Sequence, residues 1–274
     1  MSKLIIDANQ KRYFPDLKEL VRYKDLFLSL SWREFRVRYA QTTIGILWVV
    51  IQPVITLCIF YLVFVKIAKI ETDTPYLVFA VAGQSLWAYF SFVMMNSGDS
   101  LIANQGMVKK IYFPRLVIPL SKAVVGLVDF SVILIMLIGF MIYFGVAPSS
   151  NIWAAPFFII IGVMAALGAG IWLSALTVRY RDFKHIVPFM VQLGFYITPV
   201  FYPPEMLLSN LPSWAGSIYY LNPMAGVIDG FRWSLFGGTP PSVHAYISFG
   251  VVLIMFITGI IYFTKIERKM ADFV

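Results

Sequence analysis

Six runs of mostly apolar residues, separated by short basic segments, leave this chain few ways to fold. A helix needs about 20 such residues to cross a hydrocarbon layer. The runs lie near 44–65, 76–99, 116–144, 153–177, 186–202 and 243–264. Hydrophobic residues make up 59% of the sequence, against roughly 45–50% in soluble domains, and charged residues 13% against about 25%. A water-soluble enzyme, a disordered chain, a disulfide scaffold and a coiled coil are excluded together. The single cysteine, Cys58, sits in an apolar run and has no second cysteine to pair with. The expected class is an all-α integral membrane protein of six transmembrane helices. Residues 1–43 form a polar N-terminal segment, too long to be a cleavable signal, and 44–274 form the membrane domain.

The net charge of +8 would suit a nucleic-acid binder if the basic residues formed one stripe. They fall between the apolar runs instead. Nine Lys/Arg precede residue 44; Lys109, Lys110, Arg115 and Lys122 follow the second run. Arg179, Arg181 and Lys184 follow the fourth, and Lys265, Arg268 and Lys269 the last. These 19 lie on one side of a six-span layout, against Lys66, Lys69 and Arg232 on the other. Cytoplasmic loops carry the excess of Lys and Arg, so both termini are expected in the cytoplasm and no nucleic-acid partner is expected.

Two segments do not read as spans. Over residues 16–39, Leu17, Leu20, Val21, Phe27, Leu28, Trp32, Phe35 and Tyr39 share an arc of about 140° at ~100° per residue. Lys18, Arg22, Arg33 and Arg36 lie beside it, while Lys24 and Arg38 intrude. This reads as a basic amphipathic helix lying in the inner membrane interface against anionic headgroups. The fifth run is short, holds Pro188 and Pro199, and leads into a segment to about 241 that is too apolar for an ordinary loop. Neither half of that segment is long enough to span. It reads as a re-entrant helical hairpin on the outer side, turning near Asn222-Pro223, and a plain extracytoplasmic cap is the alternative.

The sequence offers little chemistry. It holds no GxxxxGK[ST] phosphate loop, HExxH, CxxC or GxSxG. His185 and His244 lie at opposite ends of spans, so no metal site is expected, and the acids Glu71, Asp73, Glu205 and Asp229 are scattered. Polar residues inside spans are costly and carry function by default. Trp48, Gln52 and Thr56 stand at i, i+4, i+8, and span 1 also opens on Gln41. Ser85, Tyr89, Phe92, Asn96 and Asp99 form a second helical stripe. Such stripes line a hydrated path, where aromatic faces stack on sugars, or they bond helix to helix. Tyr196 and Phe201 are further candidates near the outer hairpin. Gly162, Ala166, Gly170 and Ser174 read as a close-packing face. Asp129 shares a face with Lys122 two turns before it and reads as a paired group within the bundle.

Two inner loops read as docking surfaces for a cytoplasmic partner. The first holds Met107, Val108, Lys109, Lys110, Ile111 and Tyr112, with its four apolar residues entering a groove. The second holds Arg179, Tyr180, Arg181 and Asp182. Solvated basic loops are the plainer reading.

At these residues the chain resembles the permeases of polysaccharide-exporting ABC transporters, which include O-antigen, teichoic-acid and capsule permeases. Arg38-Tyr39-Ala40-Gln41-Thr42-Thr43-Ile44-Gly45-Ile46-Leu47-Trp48, then Gln52-Pro53, is similar to their first span. Lys109-Lys110-Ile111-Tyr112-Phe113-Pro114-Arg115 and Val178-Arg179-Tyr180-Arg181-Asp182 resemble their cytoplasmic coupling segments. Thr198-Pro199-Val200-Phe201-Tyr202 and Leu221-Asn222-Pro223-Met224 resemble their outer gate region. The resemblance covers roughly 20–270. It implies a homodimer with two copies of a separate ATPase that holds the ATP and Mg, so that this chain carries no cofactor of its own. It implies a channel on the dimer axis and a cargo of lipid-linked polysaccharide, commonly on undecaprenyl diphosphate. It implies an outer gate at Tyr202, Pro203, Tyr219, Tyr220, Asn222 and Pro223, and residence in the cytoplasmic (inner) membrane. Three alternatives remain: a same-fold exporter of a drug or small lipid, a proton-coupled secondary transporter, and a membrane glycan-modifying enzyme. A secondary transporter should carry midplane acids in both repeat halves; here Asp129 is the only acid well inside a span.

Overall fold

A computed structural model describes residues 14–40, 45–209 and 211–268. The sequence 41–44 at the start of the first span, with Gln41, and the tail from Lys269 lie outside the described residues. Every regular element among them is helical.

Asp16 caps α1 (Leu17–Arg22) through its carboxylate, which accepts from the amides of Lys18 (2.9 Å) and Glu19 (3.4 Å). The chain turns at Tyr23 into α2 (Lys24–Tyr39). The single amphipathic helix expected over 16–39 is thus two helices, and its apolar arc is divided. Leu20, Tyr23, Leu26, Phe27 and the buried Leu30 pack into a cluster with Leu101, Val108, Phe113 and Phe263. Leu17, Val21, Leu28 and Trp32 stay exposed. The wheel gave one apolar face; the fold covers one side of the helices with protein and leaves the other free.

A 3-10 turn (Gly45–Leu47) leads into α3 (Trp48–Phe60), which runs on as a π-helical stretch, Tyr61–Ile67. Next come α4 (Tyr76–Ala103), the short α5 (Gln105–Lys110), α6 (Val117–Tyr143) and α7 (Ala155–Arg179), the last entered through 3-10 residues Ser150–Ala154. The chain continues through α8 (Phe183–Ile197), α9 (Pro204–Leu208), α10 (Ser213–Tyr219), α11 (Pro223–Phe236) and α12 (Ala245–Glu267). Among the described residues, five helices are long and apolar enough to cross a membrane: Trp48–Ile67, Tyr76–Ala103, Val117–Tyr143, Ser150–Arg179 and Ala245–Glu267. Where the fifth run led to a span over 186–202, α8 has 15 residues, a rise of about 22 Å against ~30 Å of hydrocarbon. Thr198 stops it with an extended ψ of 141°, the conformation that the ring of Pro199 imposes on its predecessor.

The core is α4, walled by α6 and α7. Gly162, Ala166, Gly170 and Ser174 are all buried. A Cβ on Gly170 would stand 2.9 Å from Cβ of Ser97 on α4, and one on Gly162 3.1 Å from a Leu86 methyl. The opposite side of α7 meets α12 backbone to backbone, where a Cβ on Gly168 would lie 2.9 Å from Phe256 Cα, and one on Gly259 2.9 Å from the Gly168 carbonyl.

Residues 201–241 fold as short helices, with a turn at 220–222. Asn222 caps α11 by accepting from the Met224 amide (3.0 Å), and Pro223 takes the first helical position, where no amide is needed. α11 is buried along most of its length, whereas α9 and α10 expose Met206, Leu207, Trp214 and Ile218. The buried Arg232 secures α11. It donates to the carbonyls of Phe79 (3.1 Å), Pro199 (2.6 Å) and Val200 (2.5 Å), and its guanidinium lies 3.5 Å over the Phe79 ring.

Gly168→Val should lower stability by about 1–3 kcal/mol, the usual range for overpacking, because the opposing atoms are backbone and cannot turn aside. Gly139→Ala, with nothing within 4 Å of the new methyl, should be neutral or slightly stabilising; thermal melts in detergent check both. Arg232→Met keeps the bulk but strips three carbonyls of a charged donor, and should cost about 2 kcal/mol or more in the same melts. Arg232→Lys, with one ammonium for three carbonyls, should recover only part of that.

Candidate functional site

The residues expected to line a path divide into an exposed and a buried set. On α3, Trp48 is 50% exposed and Gln52 is open, with Thr56 one turn further donating to the Gln52 carbonyl (3.0 Å). On α8, Tyr196 is 62% exposed, on the side that also bears Phe189 and Leu193. Phe60, the last residue of α3, and Phe195, near the end of α8, meet edge to face at 5.6 Å, so the two helices touch at these ends. Phe201 is buried where they join, stacked at 4.0 Å and 5° on Phe60. Sequence reasoning missed Phe60 and Phe195, since nothing distinguishes them from the other phenylalanines of their runs.

The α4 stripe does not form one surface. Ser85 and Tyr89 are buried, Tyr89 to 2%, and the Tyr89 ring faces Gly126 and Phe130 of α6. Its hydroxyl has no hydrogen-bond partner among the described residues. Phe92 and Asn96 are half-buried and look onto a cavity of about 320 Å³ beneath α2. Asp99, at the end of the stripe, faces Lys184 of α8 at 3.5 Å.

The cavity lies amid paired charges. Asp129 accepts from Arg38 (2.6 Å) and from the Tyr39 hydroxyl, while Lys122 pairs with Glu34. Asp129 is therefore paired within the bundle, its partner being Arg38 of α2. Glu34 and Arg38, one turn apart on α2, each reach a different charge on α6. Burial alone would raise the Glu34 carboxyl, but the hydrogen bonds and charges of Lys122 and Arg33 overcome it and hold the group below its usual value.

The first docking loop turns two of its apolar residues inward. Val108 is buried and Met107 half-buried in the cluster under α1 and α2, so neither is free to enter a partner's groove. Ile111 and Tyr112, 62% and 57% exposed, and the neighbouring Lys109 and Lys110 remain outside. The Tyr112 hydroxyl donates to Glu19 (3.2 Å), and its carbonyl accepts from Tyr23 (3.4 Å). Arg115 joins the end of α12 through two 2.7 Å bonds to Glu267. In the second loop Arg179, Tyr180, Arg181 and Asp182 are all exposed, with the Arg179 guanidinium 5.0 Å from the Tyr180 ring.

At the other end, the residues expected at a gate surround the break after α8. Tyr202 is buried and donates to the carbonyls of Tyr196 (3.1 Å) and Ile197 (2.7 Å), two of those left open where the helix stops. Asn222 donates to the Thr198 hydroxyl (2.7 Å). Pro203 and Tyr219 are half-buried, and the buried Tyr220 donates to Asp229 (3.2 Å). Arg232 belongs with these pins. By charge alone it belongs with Lys66 and Lys69, and its place as a lone cation between Phe231 and Trp233 is the one sign of its burial that the sequence carries.

Among the described residues no three of His, Cys, Asp and Glu come together as metal ligands. The comparisons with known proteins agree with a transport role. Residues 25–236 match the ABC-2 type transporter membrane family. Two proteins named O-antigen export system permease protein RfbA, both from Klebsiella pneumoniae, are 30% identical over 249 residues, 90% of this chain and 94% of theirs. A protein of that name from Myxococcus xanthus is 26% identical over 216 residues, 79% of this chain and 82% of its own. The chain belongs to the ABC-2 transporter family: it is a multi-pass membrane permease, the transport subunit of an ABC transporter rather than an enzyme, and works with an ATPase partner.

Proposed function

We propose that this permease exports a lipid-linked polysaccharide, such as an O-antigen on undecaprenyl diphosphate, across the cytoplasmic membrane. The observation that carries this reading is the match to O-antigen export permeases along 90% of the chain. Two copies form the channel and two copies of a P-loop ATPase bind beneath them. ATP and Mg belong to that partner, and this chain holds no cofactor. The basic end faces the cytoplasm together with both termini, as the 19 to 3 distribution of Lys and Arg supports. α8 with the residues after it makes the sixth crossing, and the α9–α11 segment forms a re-entrant outer gate. The same fold would serve a teichoic-acid or capsule exporter equally well.

The exposed face of α3 and α8 supports a path between two copies. Trp48, Gln52 and Tyr196 offer rings and an amide where a lone chain would show them to lipid. A glycan is bulky and polar, and flat aromatic faces touch its C–H faces without a strong directional grip. The second copy closes this path, while Tyr89 and Phe201 act behind it as packing.

Gln52→Leu and Tyr196→Ala should therefore leave the melting temperature within a few degrees of wild type, reduce export, and accumulate lipid-linked glycan inside the cell. Tyr89→Ala should instead lose about 3–5 kcal/mol, as a buried aromatic does. Normal export by both exposed variants would remove the path from this face. For the partner, Ile111→Asp with Tyr112→Asp should leave the permease inserted and abolish coupling, read as ATP hydrolysis by the complex without export. Unchanged export in that variant would move the docking surface elsewhere.

A further inference from the structure

α4 and α8 each carry a single formal charge, and the two meet. Asp99 is the only Asp, Glu, Lys or Arg of α4, and Lys184 is the only one of α8. The Lys184 ammonium stands 3.5 Å from Asp99 Oδ2. Asp99 lies four residues before the end of α4, about 6 Å along its axis at 1.5 Å per residue. Ionisable groups inside a span are costly and pair where they can.

The two partners differ in what they lose on parting. The Lys184 side chain is 56% exposed, so water can take over its ammonium. Asp99 Oδ1 is buried and has no hydrogen-bond partner among the described residues. A pair this open breaks at little cost, and the half-buried carboxylate then draws the ammonium back. A latch needs both properties.

Its position decides what it holds. The second docking loop, 179–182, joins two helices that are unequally fixed. Ser174, Ala175, Leu176, Thr177 and Val178 at the end of α7 are all buried. α8 has one buried residue, Val187. A displacement of the loop is therefore taken up on the α8 side. There Pro188 has no amide to offer the Lys184 carbonyl four residues back, so the first turn of α8 lacks one of the bonds that would join it to the second. Further on, the helix leans on Trp87 of α4, whose ring meets Phe195 at 6.3 Å and would lie 2.9 Å from a Cβ on Gly194. The first turn, 183–187, thus stands between an exposed loop and a proline, with Lys184–Asp99 as its one ion pair among the described residues.

We propose that Asp99 is a positioning residue for the ATPase stroke. Through Lys184 it sets the resting place of the first turn of α8, and a load on the second loop parts the pair and swings that turn about Pro188. This deepens the exporter reading and rests on it in one respect, that the ATPase docks on the second loop.

Hydrogen exchange on the full chain in nanodiscs tests the latch with neither ATPase nor glycan present. Asp99→Asn keeps the shape of the side chain and removes its charge. It should speed exchange of the 184–187 amides about three- to fivefold, the span that an exposed ion pair commands, and leave those of 174–178 and 190–197 unchanged. Lys184→Met should do the same from the exposed partner, and it decides the matter if Asp99→Asn does not fold. Lys184→Arg should keep the wild-type rate. Unchanged exchange in the folded charge-removing variants would overturn the latch, and so would faster exchange spread evenly over α7 and α8. In the complex with the ATPase, Asp99→Asn should hydrolyse ATP near the wild-type rate with half the export or less, while Lys184→Arg stays coupled. Normal export by Asp99→Asn would overturn its part in the stroke. The two readings fail separately. Unchanged exchange removes the latch and leaves the docking loop standing. Unchanged ATPase binding by Tyr180→Asp with Arg181→Glu removes the docking loop, and with it the stroke, and leaves the latch that exchange measures.

Discussion

No water is at hand inside an apolar bundle to complete a broken backbone hydrogen bond, so each interruption of a helix has to be repaired by protein. The break after α8 shows how. Thr198 and Pro199 end the helix and leave carbonyls without their usual donors. Tyr202 reaches back to two of them, and Arg232 comes across from α11 to the carbonyls of Pro199 and Val200. Asn222 ties the same corner through the Thr198 hydroxyl while capping α11. The aromatic and polar residues of this end are thus spent first on backbone repair, and α11 is bonded to α4 and α8 as part of the bundle. α9 and α10, with Met206, Leu207, Trp214 and Ile218 exposed, are the less enclosed part of this end.

The opposite end is joined in another way. Apolar residues of α1, α2, α5 and α6 and of the ends of α4 and α12 meet in one cluster around Leu30, Val108 and Phe263. Tyr112 is tied to Glu19 and Arg115 to Glu267, so the loop after α5 is braced on both sides. α2 is joined in turn to α6 through Glu34 and Arg38, whose partners Lys122 and Asp129 lie along one side of that helix.

Run length was the most readable signal because hydrocarbon thickness sets it directly, and five of the expected spans fall within a few residues of α3 with its π-helical continuation, α4, α6, α7 and α12. The small-residue face of α7 was readable for a similar reason: only a close helix makes glycine at that spacing useful. The facing of mixed residues was not. Tyr89 and Phe92 share a stripe by periodicity, yet α6 covers the first and α2 overhangs the second. Val108 and Ile111 look equally apolar in the sequence, and only the cluster under α2 separates them. Asp129 reads as paired within the bundle, but its partner Arg38, like the Glu34 that pairs with Lys122, lies about 90 residues away on α2 and has no mark in the sequence. Periodicity describes one helix at a time, and each of these assignments depended on a neighbour.

The placement of Arg232 also restricts how the sequence can change. A methyl on Gly83 would collide with the Arg232 guanidinium and lie 2.7 Å from the Val200 carbonyl that it serves. Position 83 must therefore stay glycine for as long as the break after α8 keeps its course. Losing the arginine alone strands the carbonyls, and gaining a side chain at 83 alone displaces their donor. The bare backbone at 83 and the long side chain at 232 thus serve one and the same break, and the Val200 carbonyl keeps position 83 closed to a side chain whatever stands at 232.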